Sequence, residues 1–126
     1  MSHFVTIETQ IRDIAALRDA CEELGLELLH EAEARGYADQ KRQAEYVIRL
    51  KGPYDIAVNC PEDGNGKWEL TTDWWDGHVE KEVGAKYGRL LQLYGVHKTL
   101  REARRKRLRV TRHQYEDGSI RLTLAA

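Results

Sequence analysis

The stretch "DWWDGH", residues 73 to 78, sets two carboxylates, two indoles and an imidazole side by side. Those residue types can do general acid–base work when one carboxyl stays protonated in a desolvated pocket while its neighbour remains ionised. An enzyme with a site around Asp73, Asp76 and His78 is therefore one reading of the chain.

The surrounding pattern argues for a structural use of the same residues. If "KWELTTDWW" is a strand, Trp68, Leu70, Thr72 and Trp74 share an apolar face while Glu69, Thr71, Asp73 and Trp75 look the other way. Trp74 then belongs to the core. Asp76 and Gly77 turn the chain into a helix that Asp76 caps, and His78 lies at its start. Asp73 and Trp75 become candidate partner-binding residues on an open sheet face, since indole is a frequent binding anchor.

No other constellation points to catalysis. The histidines at 3, 30, 78, 97 and 113 show no HxxxH or HxH spacing, and Cys21 and Cys60 form no CxxC, so no zinc site is expected. His3 could join a copper or nickel chelate with a free N-terminal amine, but removal of Met1 ahead of small Ser2 abolishes that geometry, and a packed or surface histidine is expected. Cys21 and Cys60 read as reduced structural thiols, with a bridge between them left open. A glycine-rich phosphate loop, a GxSxG elbow and the kinase motifs are missing. Catalytic residues, metals and cofactors are accordingly assigned as none.

The sharpest remaining feature is "LREARRKRLRVTR", which carries Arg101, Arg104, Arg105, Lys106, Arg107, Arg109 and Arg112. On a helix Arg101, Arg104 and Arg105 form one face, a geometry that could track phosphates. Basic residues also belong in the last turn of any helix, where they offset the macrodipole. Stacking aromatics are missing until Tyr115, so contact with acidic side chains of the same domain or of a protein partner is the expected use. The formal net charge of −1 conceals a segregation: residues 1 to 85 hold 9 Lys+Arg against 18 Asp+Glu, residues 86 to 126 hold 11 against 3. The two parts either face each other or present a basic surface to a partner.

The elements that would position these residues follow from periodicity. At 126 residues, 41% hydrophobic and 33% charged, the chain reads as one globular domain, 1–126, able to bury roughly two-thirds of its unfolded surface. Apolar runs are only a few residues long and "MSHFVTIETQ" has no basic leader or apolar core, so no membrane span is expected and the cytoplasm is the expected compartment. "FVTIETQI" alternates as a strand, and "DIAALRDACEELG" places Ile14, Leu17, Cys21 and Leu24 on a helix capped by Asp13 and ended by Gly25. "LELLHEAEARGYADQKRQ" reads as a short strand followed by a long loop. "EYVIRLKG", "YDIAVNCP" and "KWELTTDWW" read as a meander, the last two joined by the turn-rich "PEDGNG". Val79, Val83, Tyr87, Leu90, Leu91 and Tyr94 then share a helical face, with a break expected near Gly95. "RVTRHQYEDGSIRLTL" closes the chain as a hairpin. The order β-α-β-β-β-β-α(α)-β-β predicts an α+β, two-layer fold, a mostly antiparallel sheet with helices on one face and the other left to solvent or a partner.

Four separated stretches, "MSHFxTIxTQIRDIxAL" (x at Val5, Glu8 and Ala15), "ELTTDWW", "YGVHKTLREARR" and "EDGSIRLTL", resemble the hypothetical chloroplast reading frame thirty-five family (domain of unknown function 1257) of cyanobacteria, plastids and other bacteria. The resemblance brings no established activity, catalytic residue or cofactor. Its members are thought of beside ATPases of the AAA+ type, which implies an accessory role. The leading expectation is a non-enzymatic adaptor that binds another protein through Asp73, Trp75, Arg101, Arg104, Arg105 and Arg109. A nucleic-acid-binding module using Arg101 to Arg112 is the alternative, and the Asp73, Asp76, His78 enzyme the third.

Overall fold

A computed structural model describes residues 4–60 and 66–126. His3 and most of the "PEDGNG" turn lie outside them. The strands are β1 (Phe4–Glu8), β2 (Glu27–Arg35), β3 (Lys41–Arg49), β4 (Ile56–Asn59), β5 (Glu69–Asp73), β6 (Arg109–Gln114) and β7 (Ile120–Ala125). The helices are α1 (Ile14–Glu23), α2 (Glu80–Val83) and α3 (Gly88–Arg105). The first five strands form an antiparallel sheet in the order β1-β5-β4-β3-β2, while β6 and β7 pair only with each other. No helix among the described residues is long and apolar enough to cross a membrane.

Helix α1 links the two edge strands, and local chemistry sets its limits. The Asp13 carboxylate accepts from the Ala15 and Ala16 N–H groups at 3.0 and 3.2 Å, satisfying two donors the first turn leaves open. At the other end Gly25 adopts φ +75°, its N–H bonds Glu22 O at 3.0 Å and the Leu26 N–H bonds Cys21 O at 2.8 Å, a Schellman closure. Ala16, Leu17, Ala20 and Cys21 face inward and meet Leu90, Leu93 and Tyr94 of α3 over Ile48, Ile56, Val58 and Leu70 of the sheet. Each fully buried leucine contributes about 2 kcal/mol. Burial also pushes the Cys21 thiol up to about 12, which leaves it an inert core group. Cys60 is exposed and free.

All three helices contribute to this one core, so the helices do share a face. The opposite face departs from expectation. The segment read as a short strand and loop is a long hairpin, β2 to β3, in register from Glu27↔Arg49 to Arg35↔Lys41 with Glu31 skipped. Glu31 sits at φ +50°, and there the strand bends. The inward-facing set switches from Leu29 and Val47 to Ala32, Ala34 and Ala44, which close on Ala57 of β4. The hairpin thereby folds back over the sheet. Its tip comes so close to β1 that a Cβ on Gly36 would lie 2.7 Å from Phe4 Cζ. The second face is thus partly covered by the chain's own hairpin, not left wholly to solvent or a partner.

The helical region differs in one further respect. Its break falls between α2 and α3, at Gly84 (φ +86°) and a short turn through Tyr87, while α3 runs unbroken past Gly95. Gly95 is exposed with nothing near it, so it weakens the helix by about 1 kcal/mol without stopping it. At its far end α3 repeats the closure of α1: Arg107 N–H bonds Arg104 O at 3.1 Å and Leu108 N–H bonds Ala103 O at 2.9 Å. Here the left-handed position, φ +57°, is held by an arginine. Arg107→Gly is therefore expected to stabilise the fold by about 1 kcal/mol, read as a raised denaturation midpoint at unchanged m-value.

Candidate functional site

The end of β5 and the folded-back hairpin tip bring the most chemistry together. Strand β5 stops at Asp73, so Trp74 is not a strand residue as alternation predicted. Trp74 is half-buried and its ring meets that of Tyr87 at a tilt of 56°, centroids 4.8 Å apart. Asp73 does turn to the face opposite the helices, yet it is fully buried, because the hairpin tip lies on it. Its two oxygens hold backbone: Oδ1 accepts the Trp75 N–H at 3.0 Å and Oδ2 the Tyr37 N–H at 3.2 Å. Asp73 thus cannot be the exposed contact that the strand pattern predicted. Trp75 is exposed as expected, at 43%, and stands edge-on to the Tyr37 ring at 5.4 Å, itself 38% exposed.

Asp76 and His78 do not complete a catalytic group with Asp73. Asp76 occupies a left-handed turn position (φ +57°) with a largely exposed side chain, and α2 has no side-chain cap, so Asp76 does not cap it. His78 Nε2 lies 3.7 Å from the Asp76 carboxylate, and the ring meets Tyr54 edge-on at 5.3 Å. Burial, with the charge of Asp73 second, raises the Tyr54 phenol above its usual range. An open depression of about 400 Å³ beside the tip is lined by Arg35, Gly36, Lys41, Pro53 and Tyr54 among others, but by none of Asp73, Asp76 and His78. The geometry that paired-carboxylate chemistry needs is not assembled here.

Under the same hairpin lies an ion cluster that sequence reading missed. Asp55 is fully buried and accepts from Arg35 Nε at 2.8 Å, Arg35 Nη2 at 2.8 Å, and the Arg35 and Leu50 N–H groups at 3.0 and 3.1 Å. Arg49 Nε lies 3.1 Å away, an ion pair at an angle too poor for a hydrogen bond. Arg35 Nη2 also donates to Leu50 O and Gly52 O at 3.2 and 3.0 Å. Asp55, with its oxygens on Arg35, holds that guanidinium above its already high usual range. The cluster clamps the hairpin tip to the loop ahead of β4. One signal was available in the sequence: a carboxylate immediately before "IAVN", where an all-apolar strand begins, is a buried charge in search of a partner.

The basic run divides. Arg101 forks onto Asp19 of α1, with Nη2 to Oδ1 at 3.1 Å and Nε to Oδ2, and this bond draws Asp19 below the usual carboxylate range. Arg112 forks onto Glu23 at 2.9 and 2.7 Å, and His97 Nε2 reaches the same carboxylate at 2.7 Å. The acidic first helix and the basic third therefore do face each other. Arg104, Arg105 and Arg109 are exposed and form no ion pair within 4 Å among the described residues. The Arg112 hydrogen bonds, aided by His97, hold Glu23 down at about 2 against an ordinary 4.5. A depressed carboxylate stabilises the fold fully above its unfolded value and loses that contribution as pH falls through the folded one. The melting temperature is accordingly expected to fall between pH 4.5 and about 2, and Glu23→Gln to flatten that part of the profile. An unchanged profile would remove the pair from the stability account.

Among the described residues no three His, Cys, Asp or Glu side chains gather as a metal site. The fold and these clusters define a small α+β domain, a five-stranded antiparallel sheet with helices on one face and its own hairpin folded over the other. The chain belongs to the family described as protein of unknown function (DUF1257), whose model matches residues 20–123. No curated protein and no solved structure matches it.

Proposed function

We propose that this chain is a non-enzymatic adaptor that docks a protein partner through the aromatic pair Tyr37 and Trp75. One observation carries the reading: the buried Asp73 carboxylate binds the backbone N–H of both residues, so two exposed rings from distant parts of the chain are set on a common rigid support. Exposed aromatics fixed before binding lose little conformational entropy on contact, and Trp and Tyr dominate the energetics of interface centres. Asp73 is on this reading a positioning residue and not a contact. Arg104, Arg105 and Arg109 belong to the end of α3 and the start of β6, away from this pair, and Arg101 is occupied by Asp19.

An ATPase of the AAA+ type is the first partner to try, following the family resemblance. The test captures partners from the native host with the wild type and with Trp75→Ala, then measures affinity for the purified partner. Trp75→Ala is expected to leave the melting temperature unchanged while weakening binding by 2 kcal/mol or more, about 30-fold. A partner bound equally well by Trp75→Ala and Tyr37→Ala would show that the aromatic tip is not the docking surface.

A further inference from the structure

The hairpin of β6 and β7 assembles a surface that cannot be seen along the chain. Residues opposite each other in an antiparallel pair share a face, so Arg112, Leu122 and Ile120 lie on one side of this ribbon. Along its middle and turn that side meets the body of the protein, while Leu124 at its far end is exposed: Ile120 packs on the core, Arg112 binds Glu23, and Gln92 Nε2 donates to Gly118 O at 2.8 Å. The other side carries Arg109, Thr111, His113, Arg121 and Thr123, all exposed, and no carboxylate. Just past β6, Tyr115 is 39% exposed, 4.5 Å from the His113 ring, with the Arg121 guanidinium 5.9 Å over its own ring. Arg121 is the register partner of His113, so pairing of the strands interleaves cation and aromatic where the linear run "RRKRLRVTR" has none. The basic end of α3, with Arg105, Lys106 and Arg107 exposed, runs directly into this stripe.

We infer that the outer face of the β6–β7 ribbon binds single-stranded nucleic acid, with Arg109 and Arg121 on phosphates and Tyr115 stacking on a base. From Arg109 to Tyr115 the stripe extends about 20 Å, enough for a few nucleotides in extended form. Cations lined up with a solvent-accessible ring are the elements of sequence-tolerant single-strand binding, and a base must be unpaired to stack. The surface is distinct from the Tyr37–Trp75 pair and does not rest on the adaptor reading.

The test is fluorescence anisotropy of the full chain with a labelled oligouridylate, across a salt series, with duplex DNA and polyglutamate as competitors. Binding is expected at low salt. Arg109→Gln with Arg121→Gln should weaken it and lower the log–log salt slope by about 1.4, two phosphates at roughly 0.7 each. Tyr115→Ala should weaken it at least about fivefold with the slope unchanged. Circular dichroism checks that each variant keeps the wild-type fold. No binding at low salt, or binding indifferent to all three substitutions, overturns the proposal. Competition by polyglutamate equal to that of unlabelled oligouridylate also overturns it, in favour of an acidic protein segment. Duplex DNA competing as well, with Tyr115→Ala silent, overturns the stacking role and with it single-strand binding.

Discussion

Replacing Arg35 with alanine is expected to destabilise the protein by about 3 kcal/mol. Asp55 is fully buried, and Arg35 supplies its two shortest hydrogen bonds and its best ion pair. Removing that partner leaves a carboxylate in the interior, where an uncompensated charge costs more than the pair itself contributed. The loss falls at the low end of the usual range for a broken buried pair because Arg49 stays 3.1 Å from Oδ2. Urea denaturation measures it. Arg35→Ala together with Asp55→Ala should cost less than the two separate losses added, the mark of a coupled pair. Arg35→Ala within 1 kcal/mol of wild type would mean that the carboxylate is solvated after all.

Gly84→Ala is expected to be of the same order, about 3 kcal/mol. Two independent effects act at this position. Its backbone, φ +86° and ψ 165°, lies in a region open essentially only to glycine. A Cβ there would also stand 2.7 Å from the Arg89 backbone nitrogen, which cannot move without disturbing the first turn of α3. Gly95→Ala is the matched control: with open space around it and no positive φ, it should stabilise the helix by up to about 1 kcal/mol. The same substitution in the two glycines thus has opposite signs, and thermal melts of both variants read it directly. A Gly84→Ala protein as stable as wild type would refute the strained corner between α2 and α3.

Both glycines are visible in the sequence, but not which of them breaks the helix. Local signals were legible at several element ends, where Asp13 and Gly25 bound α1 and the "EDGS" turn closes the final hairpin, although Asp76 caps no helix and Gly95 breaks none. The larger departures depend on contacts between distant segments. The folded-back hairpin needs small residues where its strands lie on the sheet, so its inward set is Ala32, Ala34 and Ala44, and alanine leaves almost no hydrophobic period to detect. Its tip turns through Ala38 and Asp39, both at positive φ, in place of the Asn-Gly pair that would have announced it. Asp73 was assigned to the correct face, but alternation cannot say that the face is covered. The pairing of Tyr37 with Trp75 depends on tertiary neighbours in the same way.

The bend at Glu31 has a bearing on self-association. Strand β2 is an edge of the five-stranded sheet, and a straight nine-residue edge would offer a long row of unpaired N–H and C=O groups to another copy of the chain. The left-handed φ at Glu31 divides that row into Glu27–His30 and Ala32–Arg35, pointing in different directions. Glu27, Glu31 and Glu33 add exposed like charges along it, so an approaching identical edge meets repulsion before it can form a ladder. The distortion that folds the hairpin onto its own sheet therefore also denies strangers a template at β2, guarding this edge against edge-to-edge aggregation.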